Sequence, residues 1–96
     1  MPIRVWGRAN SSNVAKVMWA VAELGLPHER VDIGGPFGGT STPEYRALNP
    51  NGEIPTIEDG DFVLWESNAI VRYLAASYRP YARYGLYQVL VNRRAQ

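Results

Sequence analysis

Cysteine is absent from the ninety-six-residue chain. Its absence excludes disulfides, thiolate metal sites, a cysteine nucleophile and any thiol redox chemistry carried by the protein itself, including a redox module of glutaredoxin type. Histidine is scarce as well, with His28 alone, so a structural metal site lacks ligands and none is expected. No run of about 18 apolar residues could span a bilayer, and the start Met1-Pro2-Ile3-Arg4 lacks the basic-then-apolar segment of an export signal. A cytoplasmic, soluble protein without membrane partners is expected. Length leaves room for one modest core and one domain. Acid is missing from one end: residues 1–78 carry six basic and nine acidic side chains, whereas residues 79–96 carry four arginines and no acid, within a net charge of +1. Arginines mixed with apolar residues read as solvated charge, and no nucleic-acid partner is expected.

What is present is strongly patterned. Ile3-Arg4-Val5-Trp6-Gly7 alternates apolar and polar residues with β-branched and aromatic side chains, which predicts a first strand. A polar loop over 8–13 follows. Val14, Val17, Met18, Val21 and Leu24 then recur on one helical face, with Ser12 or Asn13 as the cap and Gly25 and Pro27 as the stop. Residues 28–33 alternate again, giving a second strand parallel to the first through a short crossover helix.

Residues 34–40 are dense in turn formers and read as a mobile surface loop. Their spacing fits neither a dinucleotide fingerprint nor a P-loop, so no phosphate site is assigned. Thr42 caps and Pro43 opens a short helix stopped before Pro50. Residues 55–58 and 62–65 flank Asp59-Gly60-Asp61, a hairpin signal. Ser67 caps a last helix with inner positions Ile70, Tyr73, Leu74 and Ser77, broken at Arg79-Pro80.

The order βαβαββα predicts an α/β sandwich of thioredoxin type with a four-stranded mixed sheet. Trp6, Trp19 and Trp65 are assigned to its core. Residues 1–78 form this domain, and 79–96 form a basic tail short of a second domain. Within the tail, residues 84–91 suit a helix face and also a short apolar strand; the helix is preferred.

The candidate chemistry converges at one end of the sheet, where ligands of open α/β folds bind. At Ile54-Pro55 a cis bond, common only before proline, would free the Ile54 N–H and C=O to pair with an extended peptide. Ser67 offers a hydroxyl and helix N-terminal N–H groups to a carboxylate, and Glu66 can hold a neighbouring ammonium. A peptide with a free amino-acid end, such as a γ-glutamyl peptide, has that shape. Hydroxyl or amide donors among Asn10, Ser11, Ser12 and Asn13, at the start of the first helix, would lower the pKa of a thiol brought by the ligand.

Asn49-Pro50-Asn51-Gly52-Glu53-Ile54-Pro55-Thr56 followed by Glu66-Ser67-Asn68-Ala69-Ile70 resembles the N-terminal domain of soluble glutathione transferases. That family carries a Pro-x-Gly-x-Val/Ile-Pro turn and a Glu-Ser-x-Ala-Ile helix start. The similarity runs from about Ile3 to Tyr78 and is greatest to bacterial members with a Trp-Gly-Arg first strand. The resemblance implies a cis Ile54-Pro55, pairing of the Ile54 backbone with the cysteinyl part of glutathione as co-substrate, and Glu66 with Ser67 at its γ-glutamyl end. In serine-type relatives the activating hydroxyl precedes a basic residue of the first helix, here Lys16. This points to Ser12 first and Ser11 second, with Asn10 and Asn13 as amide donors in their place. Where the family meets the glycine end of glutathione, this sequence has Glu53.

Family members continue into an all-helical domain that lines the electrophile pocket and shares in dimerisation, and residues 79–96 do not match its start. The resemblance therefore implies a glutathione S-transferase in its N-terminal domain form, activating the glutathione thiol for attack on an electrophile. It also implies a homodimer or other self-association. The alternative is a non-catalytic, truncated transferase-like binding or interaction module.

Overall fold

A computed structural model of the chain describes residues 2–78. The expected tail, with its helix over 84–91, lies outside them. The elements are β1 (Ile3–Trp6), α1 (Ser12–Glu23), β2 (His28–Val31), a 3-10 turn (Gly35–Phe37), α2 (Pro43–Leu48), β3 (Thr56–Asp59), β4 (Phe62–Trp65) and α3 (Ser67–Tyr78). This is the expected βαβαββα order. The sheet runs β2-β1-β3-β4. β1 lies parallel to β2, with Ile3 opposite His28, and antiparallel to β3, with Val5 opposite Ile57; β3 pairs antiparallel with β4. The sheet is thus four-stranded and mixed, and the chain is an α/β protein of the thioredoxin type.

Side chains alternate across a strand, so Ile3, Val5 and Ile57 share one face. Against it pack Val14, Val17, Ala20 and Val21 of α1 and Ile70 and Leu74 of α3. From Val14 onward these apolar positions recur at helical spacing. Each fully buried Val, Leu or Ile contributes about 1.5–3 kcal/mol. The opposite face carries Arg4, Trp6, Thr56 and Glu58. There α2 closes on the sheet through Tyr45, whose ring centroid lies 5.9 Å from that of Trp6.

Several local expectations are corrected. The α1 cap is Ser11, in extended conformation with its Oγ accepting from the Val14 N–H, not Ser12 or Asn13. On α3 the buried positions are Ser67, Ile70, Leu74 and Ala75, while Ser77 is exposed. The helix turns so that Ala75 meets the core, and Tyr73 swings toward the hairpin, where its hydroxyl donates to Asp59 Oδ2. None of the tryptophans is fully buried, and Trp19 is 40% exposed because Val17, Ala20 and Val21 take the core side of α1. The glycine-rich stretch is a surface segment as expected, exposed over residues 35–39, and it contains a turn closed by Gly34 N–H to Gly38 C=O at 2.8 Å and Phe37 N–H to Gly34 C=O at 3.1 Å.

Three segments converge on a single glycine. Gly7 ends β1 with its α-carbon against the side chains of Val14 and Ile54, where a Cβ has no room. Only glycine lets the end of β1, the first turn of α1 and the Ile54 loop meet this closely.

Candidate functional site

The loop between α2 and β3 is held from beneath by buried polar side chains. Asn49 is 1% exposed and Thr56 0%. Asn49 Nδ2 donates to the Glu53 C=O at 3.0 Å and to Thr56 Oγ1 at 3.1 Å, while its Oδ1 accepts from the Asn51 N–H at 2.9 Å. Tyr45 Oη donates to the same Glu53 C=O and lies 2.7 Å from Thr56 Oγ1. A phenol has one hydrogen, so once it is given to Glu53 the Thr56 hydroxyl must donate to Tyr45. The result is a directed chain from Asn49 through Thr56 and Tyr45 to the Glu53 carbonyl. Burial pushes the Tyr45 hydroxyl pKa up, and the bonds from Thr56 and Asn49 oppose that rise.

The outer side of the loop is pinned as well. Arg46 Nη1 donates to the Pro50 C=O at 2.8 Å, and the Gly52 N–H donates to the Asn49 C=O at 3.0 Å. Gly52 sits at φ +65° with Arg46 and the Thr40 carbonyl crowding the place of a Cβ, so glycine is required twice over. The Ile54-Pro55 bond is cis. Ile54 precedes the ladder, whose β3 members begin at Thr56, and its N–H and C=O enter no backbone hydrogen bond among the described residues.

At the other side of the site, the β4–α3 junction turns on Glu66. It has φ +78°, a left-handed conformation that costs a non-glycine residue roughly 1–2 kcal/mol. Its carboxylate accepts from the Asn68 N–H at 3.4 Å and the Ala69 N–H at 3.2 Å. Glu66 is therefore the cap of α3, a role read from the sequence as that of Ser67, and its charge suits the helix N-terminus. Ser67 is instead a buried first residue of the helix, with its Oγ donating to Asn13 Oδ1 at 3.4 Å. That bond joins the starts of α1 and α3.

Between these walls lies a cavity of about 260 Å³. It brings together Asn13, Ile54, Pro55, Glu66 and Ser67 among the residues singled out in the sequence, and adds Lys16, Asn49, Asn51, Glu53, Trp65 and Asn68. Asn10, Ser11 and Ser12 do not line it. Ser12 and Asn10 are exposed, Ser11 is half-buried, and Asn10 accepts from Arg8 Nη1 at 3.3 Å. Ser11 Oγ spends an acceptor site on the Val14 N–H and keeps its own proton for another partner.

Sequence reasoning missed Tyr45 and the buried role of Asn49. An available signal was Asn-Pro-Asn-Gly itself, because an Asn side chain that bonds two residues ahead forms an Asx turn, as Asn49 does to Asn51. Among the described residues, no cluster of His, Asp and Glu could hold a metal ion, and no helix is long and apolar enough to cross a membrane.

Comparison with known proteins agrees with this geometry. The family described as glutathione S-transferase, N-terminal domain, matches residues 1–76. Glutathione S-transferase GstB of Escherichia coli strain K12 is 51% identical over 78 residues, covering 79% of this chain and 38% of the relative. Glutathione S-transferase 3 of Zea mays is 43% identical over 77 residues, covering 80% and 35%. Among solved structures, the theta class glutathione S-transferase of Xanthomonas axonopodis pv. citri with glutathione bound is 62% identical with a TM-score of 0.81, covering 83% of this chain and 39% of that one. Glutathione transferase F2 of Populus trichocarpa is 28% identical with a TM-score of 0.83, covering 88% and 40%. The chain thus spans under two-fifths of the length of the curated relatives quoted, for example 38% of the Escherichia coli protein.

Proposed function

Because this chain belongs to the glutathione S-transferase N-terminal domain family, we propose that residues 1–78 bind glutathione and activate its thiol for attack on an electrophile. The observation that carries the reading is the cavity that unites Ile54, Pro55, Glu66, Ser67 and Asn13. Ile54 offers an N–H and a C=O to the cysteinyl part of the ligand, as an added strand would. Glu66 takes the γ-glutamyl ammonium, and Ser67 faces the neighbouring carboxylate.

The ligand thiol then lies toward the start of α1. Ser11 and Ser12 are the candidate donors to a thiolate, with the amides of Asn10 and Asn13 in their place. A positive helix end assists whichever acts. Ser11 gains support from its geometry, since the cap bond orients its oxygen and leaves the proton to give. A charge-assisted bond of this kind is worth roughly 1.5–3 kcal/mol.

Conjugation to an electrophile, a homodimer and a cytoplasmic setting belong to the same proposal and rest on the family resemblance. The test is titration with reduced glutathione, reading both heat and thiolate absorbance. Saturable binding with thiolate formed below the pH at which free glutathione ionises supports the proposal. No binding at millimolar ligand defeats it.

A further inference from the structure

The end of the cavity away from α3 presents a carboxylate where a peptide ligand brings its own. Thr56 pairs with Trp65 across β3 and β4, so Glu66, the residue after Trp65, stands beside Pro55. Glu53 lies on the opposite side of Ile54 along the chain. A ligand residue that exchanges both backbone bonds with Ile54 runs antiparallel to it. With the γ-glutamyl end beside Glu66, the residue after the cysteinyl unit then passes Glu53.

Backbone and side chain of Glu53 have separate tasks. Its C=O is turned inward to Tyr45 Oη and Asn49 Nδ2, whereas its side chain lines the cavity and the residue is exposed. Among the described residues the ion pairs are Arg4 with Glu29 and Glu58, and Arg30 with Asp32; Glu53 joins none of them. The cation of the lining is Lys16. It stands three residues after Asn13 and so shares its face of α1, and Asn13 is bonded to Ser67 at the γ-glutamyl end. Arg46, the cation of α2, donates through Nη1 to the Pro50 C=O at 2.8 Å and is not part of the lining. A C-terminal carboxylate passing Glu53 therefore meets a like charge with no lining cation beside it.

We propose that Glu53 sets the charge preferred at the ligand's C-terminal end: the site favours γ-glutamyl-cysteinyl thiols that end in an amide or carry an amine over those that end in a carboxylate. This assignment rests on the glutathione reading above and names the ligand class within it. Glutathione still binds through Ile54 and Glu66, with its glycine carboxylate tolerated rather than held. Repulsion of a carboxylate and attraction of an ammonium follow from the same charge, and the exposure of Glu53 limits each to a few fold.

The test is calorimetry at low salt with reduced glutathione, its C-terminal carboxamide and its 2-aminoethyl amide, on the wild-type chain, Glu53→Gln and Glu53→Lys. The wild type should bind the carboxamide about threefold more tightly than glutathione and the 2-aminoethyl amide about tenfold more tightly, and raised salt should narrow that spread. Glu53→Gln should tighten glutathione about threefold and leave the carboxamide unchanged, which levels the series; Glu53→Lys should invert it. A gain in affinity is the opposite of what a damaged loop would produce. A wild-type series that is flat or reversed, or a preference that persists in Glu53→Gln, overturns the assignment while glutathione binding still stands. Failure of the wild type to bind any of the three ligands removes both.

Discussion

Asn49 and Thr56, buried on either side of the cis Ile54-Pro55 bond, meet through an amide-to-hydroxyl hydrogen bond of 3.1 Å. That bond closes the loop from which Ile54 projects, and the same Asn49 amide also holds the Glu53 carbonyl. Asn49→Ala leaves the Glu53 carbonyl and the buried Thr56 hydroxyl short of a donor. It should cost about 2–3 kcal/mol in denaturant unfolding. Tyr45→Phe removes both the donor to the Glu53 carbonyl and the acceptor of the buried Thr56 hydroxyl and should cost about 1–3 kcal/mol, with a larger proportional loss in glutathione affinity than in stability, because the Glu53 carbonyl adjoins Ile54.

Ser11 and Ser12 separate by what each does to the fold. Ser11→Ala removes the α1 cap and should lower stability by about 1 kcal/mol, whereas Ser12→Ala at an exposed helical position should leave unfolding unchanged. Thiolate absorbance of bound glutathione, measured on both variants, then identifies the activating hydroxyl. Unchanged absorbance in both would remove serine activation and leave the amides of Asn10 and Asn13.

Glu66 combines a left-handed backbone, a helix cap and the proposed grip on an ammonium, and two substitutions pull these apart. Glu66→Ala keeps the unfavourable φ and loses the cap, so it should destabilise by about 1 kcal/mol. Glu66→Asn brings a residue that tolerates this conformation and caps well, so thermal unfolding should show no loss. Its missing charge should nonetheless weaken glutathione about tenfold.

Away from the cavity, Tyr73 and Tyr78 both donate to Asp59 Oδ2 at 2.6 Å. Burial first and Asp59 second push Tyr73 from its ordinary 10.0 up to about 12; for Tyr78 the Asp59 bond leads, with the same result. A folded-state pKa above the unfolded one means that the protonated phenols favour the fold. Their contribution is complete below pH 10 and is lost as pH rises toward 12. Tyr73→Phe with Tyr78→Phe should therefore flatten the decline of stability across that window, measured by denaturant unfolding at stepped pH.

Much of this architecture was legible in the chain. The apolar repeat from Val14 placed α1, the Asp59-Gly60-Asp61 signal placed the hairpin, and the turn and helix-start motifs marked the two walls of the cavity. What escaped was choice among chemically equal neighbours. Asn10, Ser11, Ser12 and Asn13 can all cap a helix, and the phase that buries Val14 and Val17 decides among them. Glu66 and Ser67 posed the same problem. Ser67 is the better cap by composition, yet the chain reverses one residue earlier and hands the cap to the longer side chain. The Asn49–Thr56–Tyr45 chain was hidden for a different reason: its members meet across two faces of a loop, which no local pattern encodes.

The central claim is that the cavity between the Ile54 loop and the start of α3 holds glutathione. Its most direct test is a titration of the isotopically labelled chain with reduced glutathione, following backbone amide resonances. The expected result is saturable shifts concentrated at Ile54, Glu66 and Ser67, with those of the Tyr73–Asp59 cluster unmoved. Saturation with shifts elsewhere, or no shift at millimolar ligand, contradicts it.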